Sequence, residues 1–150
     1  VRETLPAREE RLFGVSEPQP IVEHLLALVR LDDPGERVIR RAWRAAQRLG
    51  APLDILVVLD PEEEPTAIER ERLERVRRLA ATLGASLAIE ESADIASTTA
   101  AVVNAREVTY VLLGAPEPVG RLGRLREPLP MALVRLLPHV DVRIIAPGRI

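Results

Sequence analysis

The stretch Gly120-Arg121-Leu122-Gly123-Arg124, with Arg126 just beyond it, is the part of this sequence best equipped to do chemistry. Its glycines would let backbone approach an anion closely, and its guanidinium groups would supply positive charge and forked donors. The same residues also read as a solvated connection between two elements, and that reading is preferred. His24 and His139 are the only histidines, and neither has a second histidine or a carboxylate at a metal-ligand spacing. Packing at a strand edge or in a loop is therefore expected of both, with no metal. Ser92, Ser97, Thr98 and Thr99 cluster without a Gly-x-Ser-x-Gly elbow, so they are expected to cap a helix and face solvent. Glu62-Glu63-Glu64, between Pro61 and Pro65, suits a solvated run ahead of a helix better than a catalytic carboxylate pair. The chain has no cysteine, which excludes disulfides, zinc thiolates and thiol nucleophiles. No catalytic residue is assigned and a non-enzymatic role is expected.

Charge and composition narrow the partners. The net charge of −2 is built from acids and arginines with no lysine, and it creates no general field for nucleic acid or an anionic membrane. Aromatic side chains are nearly absent, so platforms for stacking single-stranded bases are missing. The opening Val1-Arg2-Glu3-Thr4-Leu5-Pro6 is charged and leads into Arg8-Glu9-Glu10-Arg11, without an apolar run suited to a signal peptide or a membrane span. A cytoplasmic setting without membrane insertion is expected. Residues 1–20, bracketed by Pro6, Pro18 and Pro20, read as an N-terminal arm; it either packs on a partner through Leu12 and Phe13 or stays disordered.

The elements that must position these residues are legible as short apolar runs alternating with amphipathic ones, the pattern of βαβ units. Strands are predicted over 25–29, 55–59, 86–89, 109–113 and 140–145. A first helix starts at Asp33-Pro34, presents Val38, Ala42, Ala45, Ala46 and Leu49, and ends at Gly50. A second opens near Pro65-Thr66 and presents Ile68, Leu73, Val76, Leu79, Ala80 and Leu83, with glutamate and arginine interleaved outside. A third runs from about Ser92 to Arg106 through Ile95, Ala100, Val102 and Val103. The fourth runs from about Pro128 to Leu137, with Met131, Val134, Leu136 and Leu137 as its apolar face. Five strands with four intervening helices make an α/β fold: one domain over 21–150, doubly wound, with helices on both faces of a five-stranded parallel sheet. Whether the strand order is flavodoxin-like or 3-2-1-4-5, the loops 30–35 and 114–127 flank the ligand crevice.

His24 through Pro52 and the strand that follows resemble the opening of a universal stress protein domain. Within it, Ile39-Arg40-Arg41-Ala42-Trp43 and Ala46-Gln47-Arg48-Leu49-Gly50-Ala51-Pro52 resemble the form carried by KdpD-type potassium-sensor kinases. The likeness continues through Glu69-Arg70-Glu71-Arg72-Leu73, Leu79 to Ala85, Leu112-Leu113-Gly114 and His139-Val140-Asp141-Val142. It covers roughly Glu23 to Pro147. The resemblance implies a Rossmann-like sheet in the order 3-2-1-4-5, a homodimer, and a sensor kinase or transporter as a further partner. It also implies a phosphate-binding glycine motif after the fourth strand. Gly114 matches its first glycine, but Glu117 stands at the second and Glu127-Pro128 replaces the closing Gly-Ser, so the motif is degenerate. Asp32 lies where ATP-binding relatives place an acid near the adenosine, while Asp33-Pro34-Gly35-Glu36 reads first as a turn and helix cap. The ligand-binding candidates are thus Asp32, Val57, Gly114, Gly120, Arg121, Gly123 and Arg124, and the cofactor candidate is ATP or another adenine nucleotide. The leading expectation is a sensory or regulatory module in potassium or stress signalling. The alternatives are a nucleotide-binding protein using an altered loop, for ATP, AMP or a cyclic dinucleotide, and a ligand-free interaction domain.

Overall fold

A computed structural model of the chain describes residues 22–32, 35–115 and 127–148. Nine elements alternate along it: β1 (Leu25–Val29), α1 (Glu36–Leu49), β2 (Leu53–Leu59), α2 (Ala67–Leu83), β3 (Ser86–Glu91), α3 (Ile95–Arg106), β4 (Tyr110–Gly114), α4 (Leu129–Leu136) and β5 (Asp141–Ile145). The strands form one sheet in the order β3-β2-β1-β4-β5, and every neighbouring pair is parallel. This is the expected doubly wound α/β fold.

Side-chain alternation explains why β1 is apolar throughout. Leu25, Ala27 and Val29 enter the core beneath α1 and α2, while Leu26 and Leu28 enter the core beneath α3 and α4. A central strand covered on both faces must be apolar at every position, and all five residues of β1 are buried. On the first side Val38, Ile39, Ala42 and Ala45 of α1 and Val76 and Ala80 of α2 close the core. On the second, Ala100 and Val103 of α3 and Leu133 of α4 do so, joined by Leu137. Trp43 is half-buried against the first core, as expected of a packing residue.

Local chemistry sets the helix boundaries. A capping box starts α2, with the Thr66 hydroxyl accepting from Glu69 N–H at 3.1 Å and the Glu69 carboxylate accepting from Thr66 N–H at 3.0 Å. Asp94 caps α3 by accepting from Ser97 N–H at 3.1 Å and from the Ser97 hydroxyl at 2.8 Å. These bonds hold the Asp94 carboxyl below its ordinary value of 3.8, the bond from the Ser97 amide contributing most.

Several expected orientations are corrected. Leu49 and Ile68 are exposed, in the last turn of α1 and the first turn of α2. In α4 the inward face is Pro130, Ala132 and Leu133, which leaves Met131 and Val134 outside; a short helix apolar on both sides gives no periodicity to choose between them. Thr99 does not face solvent: it is fully buried on the stripe it shares with Ala100 and Val103, and its hydroxyl has no hydrogen-bond partner among the described residues. The first helix begins at Glu36 after an N-cap Gly35, and the proposed cap Asp33 lies outside the described residues, as does the arm at 1–20.

Candidate functional site

The crossover after β1 leads to β2 on one side, and the crossover after β4 leads to β5 on the other, so the switch point falls between β1 and β4. At the carboxyl ends of a doubly wound sheet this is where a crevice opens. Arg30, the first residue after β1, spans the gap: its guanidinium donates to Ala115 C=O just beyond β4 at 3.3 Å and lies 3.7 Å from the Asp32 carboxylate. Arg72 of α2 steadies the same loop by donating to Leu31 C=O at 2.7 Å.

Gly35 lets the chain turn into α1 directly against β1. It adopts φ 75°, and a Cβ there would lie 2.6 Å from Cγ1 of the buried Val29. Among the described residues the start of α1 receives no side-chain cap.

Two cavities flank the switch point. One, of ≈ 300 Å³, lies over β1, β2 and β3 and is lined by Arg30, Asp32, Val58, Leu59, Asp60 and Glu63, with Glu69 and Ser92 at its margin. Its four carboxylates outnumber its single guanidinium, and the local field opposes a polyphosphate. Part of that acidity is already engaged, since Asp60 accepts from Glu62 N–H at 2.9 Å and Glu69 serves the α2 cap. The other, of ≈ 210 Å³, lies over β4 and β5 and is lined by Gly35, Arg37, Val38, Gly114, Ile145 and Ala146. Arg37 crosses it to donate to Ala146 C=O at 2.7 Å.

The predicted residues are distributed accordingly. Asp32 and Gly114 both reach the rim but line different cavities, linked through Arg30. Val57 is fully buried in the core under the rim, and its successors Val58 and Leu59 line the cavity instead. Gly120, Arg121, Gly123 and Arg124 lie outside the described residues, as does Glu117. Glu127 turns along α4 to meet Arg135, with oxygen-to-nitrogen distances of 2.7 to 3.2 Å. The paired guanidinium holds the Glu127 carboxyl below its usual range, and the carboxylate raises Arg135 in turn. Glu127 lines neither cavity. Behind it α4 opens on an N-cap Pro128, then Leu129 and Pro130, so two of its entry residues carry no N–H.

Sequence reading missed a polar cluster at the opposite, amino-terminal rim. His24 Nε2 lies 2.9 Å from Asp54 Oδ2, and Arg106 Nη1 donates to the same oxygen at 3.1 Å. Beside it the Thr109 hydroxyl donates to Glu23 at 2.6 Å and accepts from His24 N–H at 3.0 Å. The partners come from the residue before β1, from β2 and from α3 and are 30 and 52 residues apart, so no motif spacing could reveal them. Asp54 is buried, and the cluster ties the strand starts to the end of α3.

No protein-family model matches the chain, and no curated protein does. Solved structures of universal stress proteins share its fold. One, a universal stress protein in complex with cAMP, superposes with a TM-score of 0.63 at 20% identity, covering 86% of this chain and 100% of its own. A universal stress protein of Pseudomonas aeruginosa UCBPP-PA14, itself described as putative, gives 0.63 at 20% identity over 83% of this chain and 48% of its own. One from Archaeoglobus fulgidus DSM 4304 gives 0.64 at 15% identity over 84% and 44%. The chain thus spans the whole of the first and somewhat under half of the other two.

Proposed function

We propose that this chain is a non-enzymatic regulatory module of universal stress protein type, in the form carried by KdpD-type sensors, acting in potassium or stress signalling. The observation that carries this reading is the entry to α4. Where ATP-binding relatives would offer small residues and amides to phosphates, Pro128 and Pro130 remove donors and Glu127 adds an acid paired with Arg135. The fold and the KdpD-like stretches around Ile39–Trp43 and Ala46–Pro52 support the family assignment. Signalling then works by conformation: occupancy of the rim biases the 30–35 loop, which Arg30, Arg72 and Gly35 connect to β4, α2 and α1. A homodimer through the β5 edge passes the change on, a reading supported by half-exposed Ile144 on β5 and Met131 and Val134 on α4.

A second reading is favoured by the cAMP-bound neighbour. In it the rim takes an adenine nucleotide with one phosphate, the base entering the cavity beside Asp32 and the phosphate meeting the uncapped start of α1 near Gly114. Calorimetric titration with cAMP, AMP, ATP and a cyclic dinucleotide, run beside an ATP-hydrolysis assay, separates the readings. The leading reading expects no turnover and no tight ATP binding. The second expects saturable cAMP or AMP binding that Asp32→Asn weakens, and turnover of ATP would contradict both.

A further inference from the structure

Arg37, Arg40, Arg41, Arg44 and Arg48 of α1 lie on one side of the helix, since they step by three and four residues along it. Four are exposed and Arg41 is half-buried, while the opposite side, Val38, Ile39, Ala42 and Ala45, is buried on the sheet. At about 1.5 Å per residue the row is roughly 16 Å long. Among the described residues, none of the five lies within ion-pair distance of a carboxylate.

An arginine-rich composition alone does not explain this row. Helix α2 also carries five arginines, but interleaves Glu69, Glu71 and Glu74 and forms Arg75–Glu71 and Arg77–Glu74 pairs at 3.7 and 3.5 Å. Helix α1 has one glutamate, Glu36, in its first turn. Like charges four apart destabilise a helix, and Arg37 sits at the positive end of the helix dipole. The sequence thus maintains an arrangement that works against α1 itself. Arg143 of β5 alternates with Ile145 and so lies on the sheet face that α1 covers.

We propose that this arginine row is a docking surface for an acidic protein segment, a helix with carboxylates repeating every three or four residues. Guanidinium forks pair bidentately with carboxylates, and a row of three helical turns matches a helical partner of that length. A long polyanion is disfavoured because the chain as a whole is net negative. A membrane surface is disfavoured because the apolar face of α1 is buried in the core and cannot insert.

The test uses the full chain at low salt, with an alanine-based helical peptide carrying glutamate at every fourth position as the probe. Trp43, the single tryptophan and part of α1, reports binding by fluorescence. Saturable binding is expected, weakened at least about tenfold by Arg44→Glu and by raised salt, and unchanged by Arg77→Glu on α2. Arg44→Glu places an acid four residues before Arg48, so its melting temperature should hold or rise, which separates lost binding from lost folding. Should it melt lower, the Arg40→Gln and Arg48→Gln variants decide the point by the same tenfold criterion. The proposal is overturned if the wild-type chain ignores the peptide or if Arg44→Glu and the glutamine variants bind as well as wild type. It is equally overturned if duplex DNA, or phosphatidylcholine vesicles with about 30% phosphatidylserine, bind more tightly through the same arginines.

Discussion

Asp54 is buried, and its Oδ2 receives both His24 and Arg106. Asp54→Asn keeps the shape but removes the charge that both partners address, and charge-assisted bonds of this kind contribute roughly 1.5–3 kcal/mol. Urea unfolding of the variant should show a loss of about that size at neutral pH; a loss within error of zero would remove the cluster from the account of stability. Asp94 makes a prediction about pH. Its folded carboxyl is held below 3.8, so the folded state binds fewer protons there than the unfolded state. Its contribution is full above that ordinary value and disappears as pH falls through the lowered folded value. Asp94→Asn retains a good cap without a titrating group. The stability advantage of wild type over this variant should therefore shrink on acidification below 3.8, as read by denaturant midpoints at successive pH values.

At the scale of the element, Glu107 is the residue most at odds with its conformation. It ends α3 at φ 57°, ψ 42°, the only non-glycine at positive φ among the described residues, whereas Gly50 and Gly84 end α1 and α2. Glu107→Gly should stabilise by about 0.5–1 kcal/mol, the relief of left-handed strain partly offset by the greater freedom of glycine in the unfolded chain. A fall in thermal midpoint would show that the Glu107 side chain does more than end a helix. The element scale also shows what the sequence made visible. Five strands and four helices follow from apolar runs, Gly50, Gly84 and the opening at Pro65-Thr66, all of which are local signals. The outward turn of Met131 and Val134 and the burial of Thr99 were not local, because which side of a short apolar helix meets the sheet is decided by the crossover. The rim was half legible. The loops carrying Asp32 and Gly114 follow from topology and the two residues from the family resemblance, whereas the Arg30 link to Ala115 and the Glu127–Arg135 pair depend on side chains meeting across elements.

For the whole molecule, the sheet ends in two unequal edges. Glu90 and Glu91 place charge on β3, a common defence against unwanted pairing, whereas β5 presents Ile144 half-exposed, as α4 does Met131 and Val134. The proposed dimer predicts that Ile144→Lys shifts the chain to monomer in sedimentation velocity without lowering its melting temperature. An unchanged sedimentation coefficient, or a wild-type chain already monomeric, would remove that edge as the interface.

The central proposal is that the rim holds no triphosphate, because Pro128 and Pro130 carry no N–H at the entry to α4. Calorimetric titration of ATP into wild type and into Glu127→Gly/Pro128→Ser tests it most directly. The account predicts a wild-type Kd weaker than about 1 mM and at least tenfold tighter binding once glycine and serine are restored. Micromolar ATP binding by wild type, undiminished or unimproved in the double variant, would contradict it.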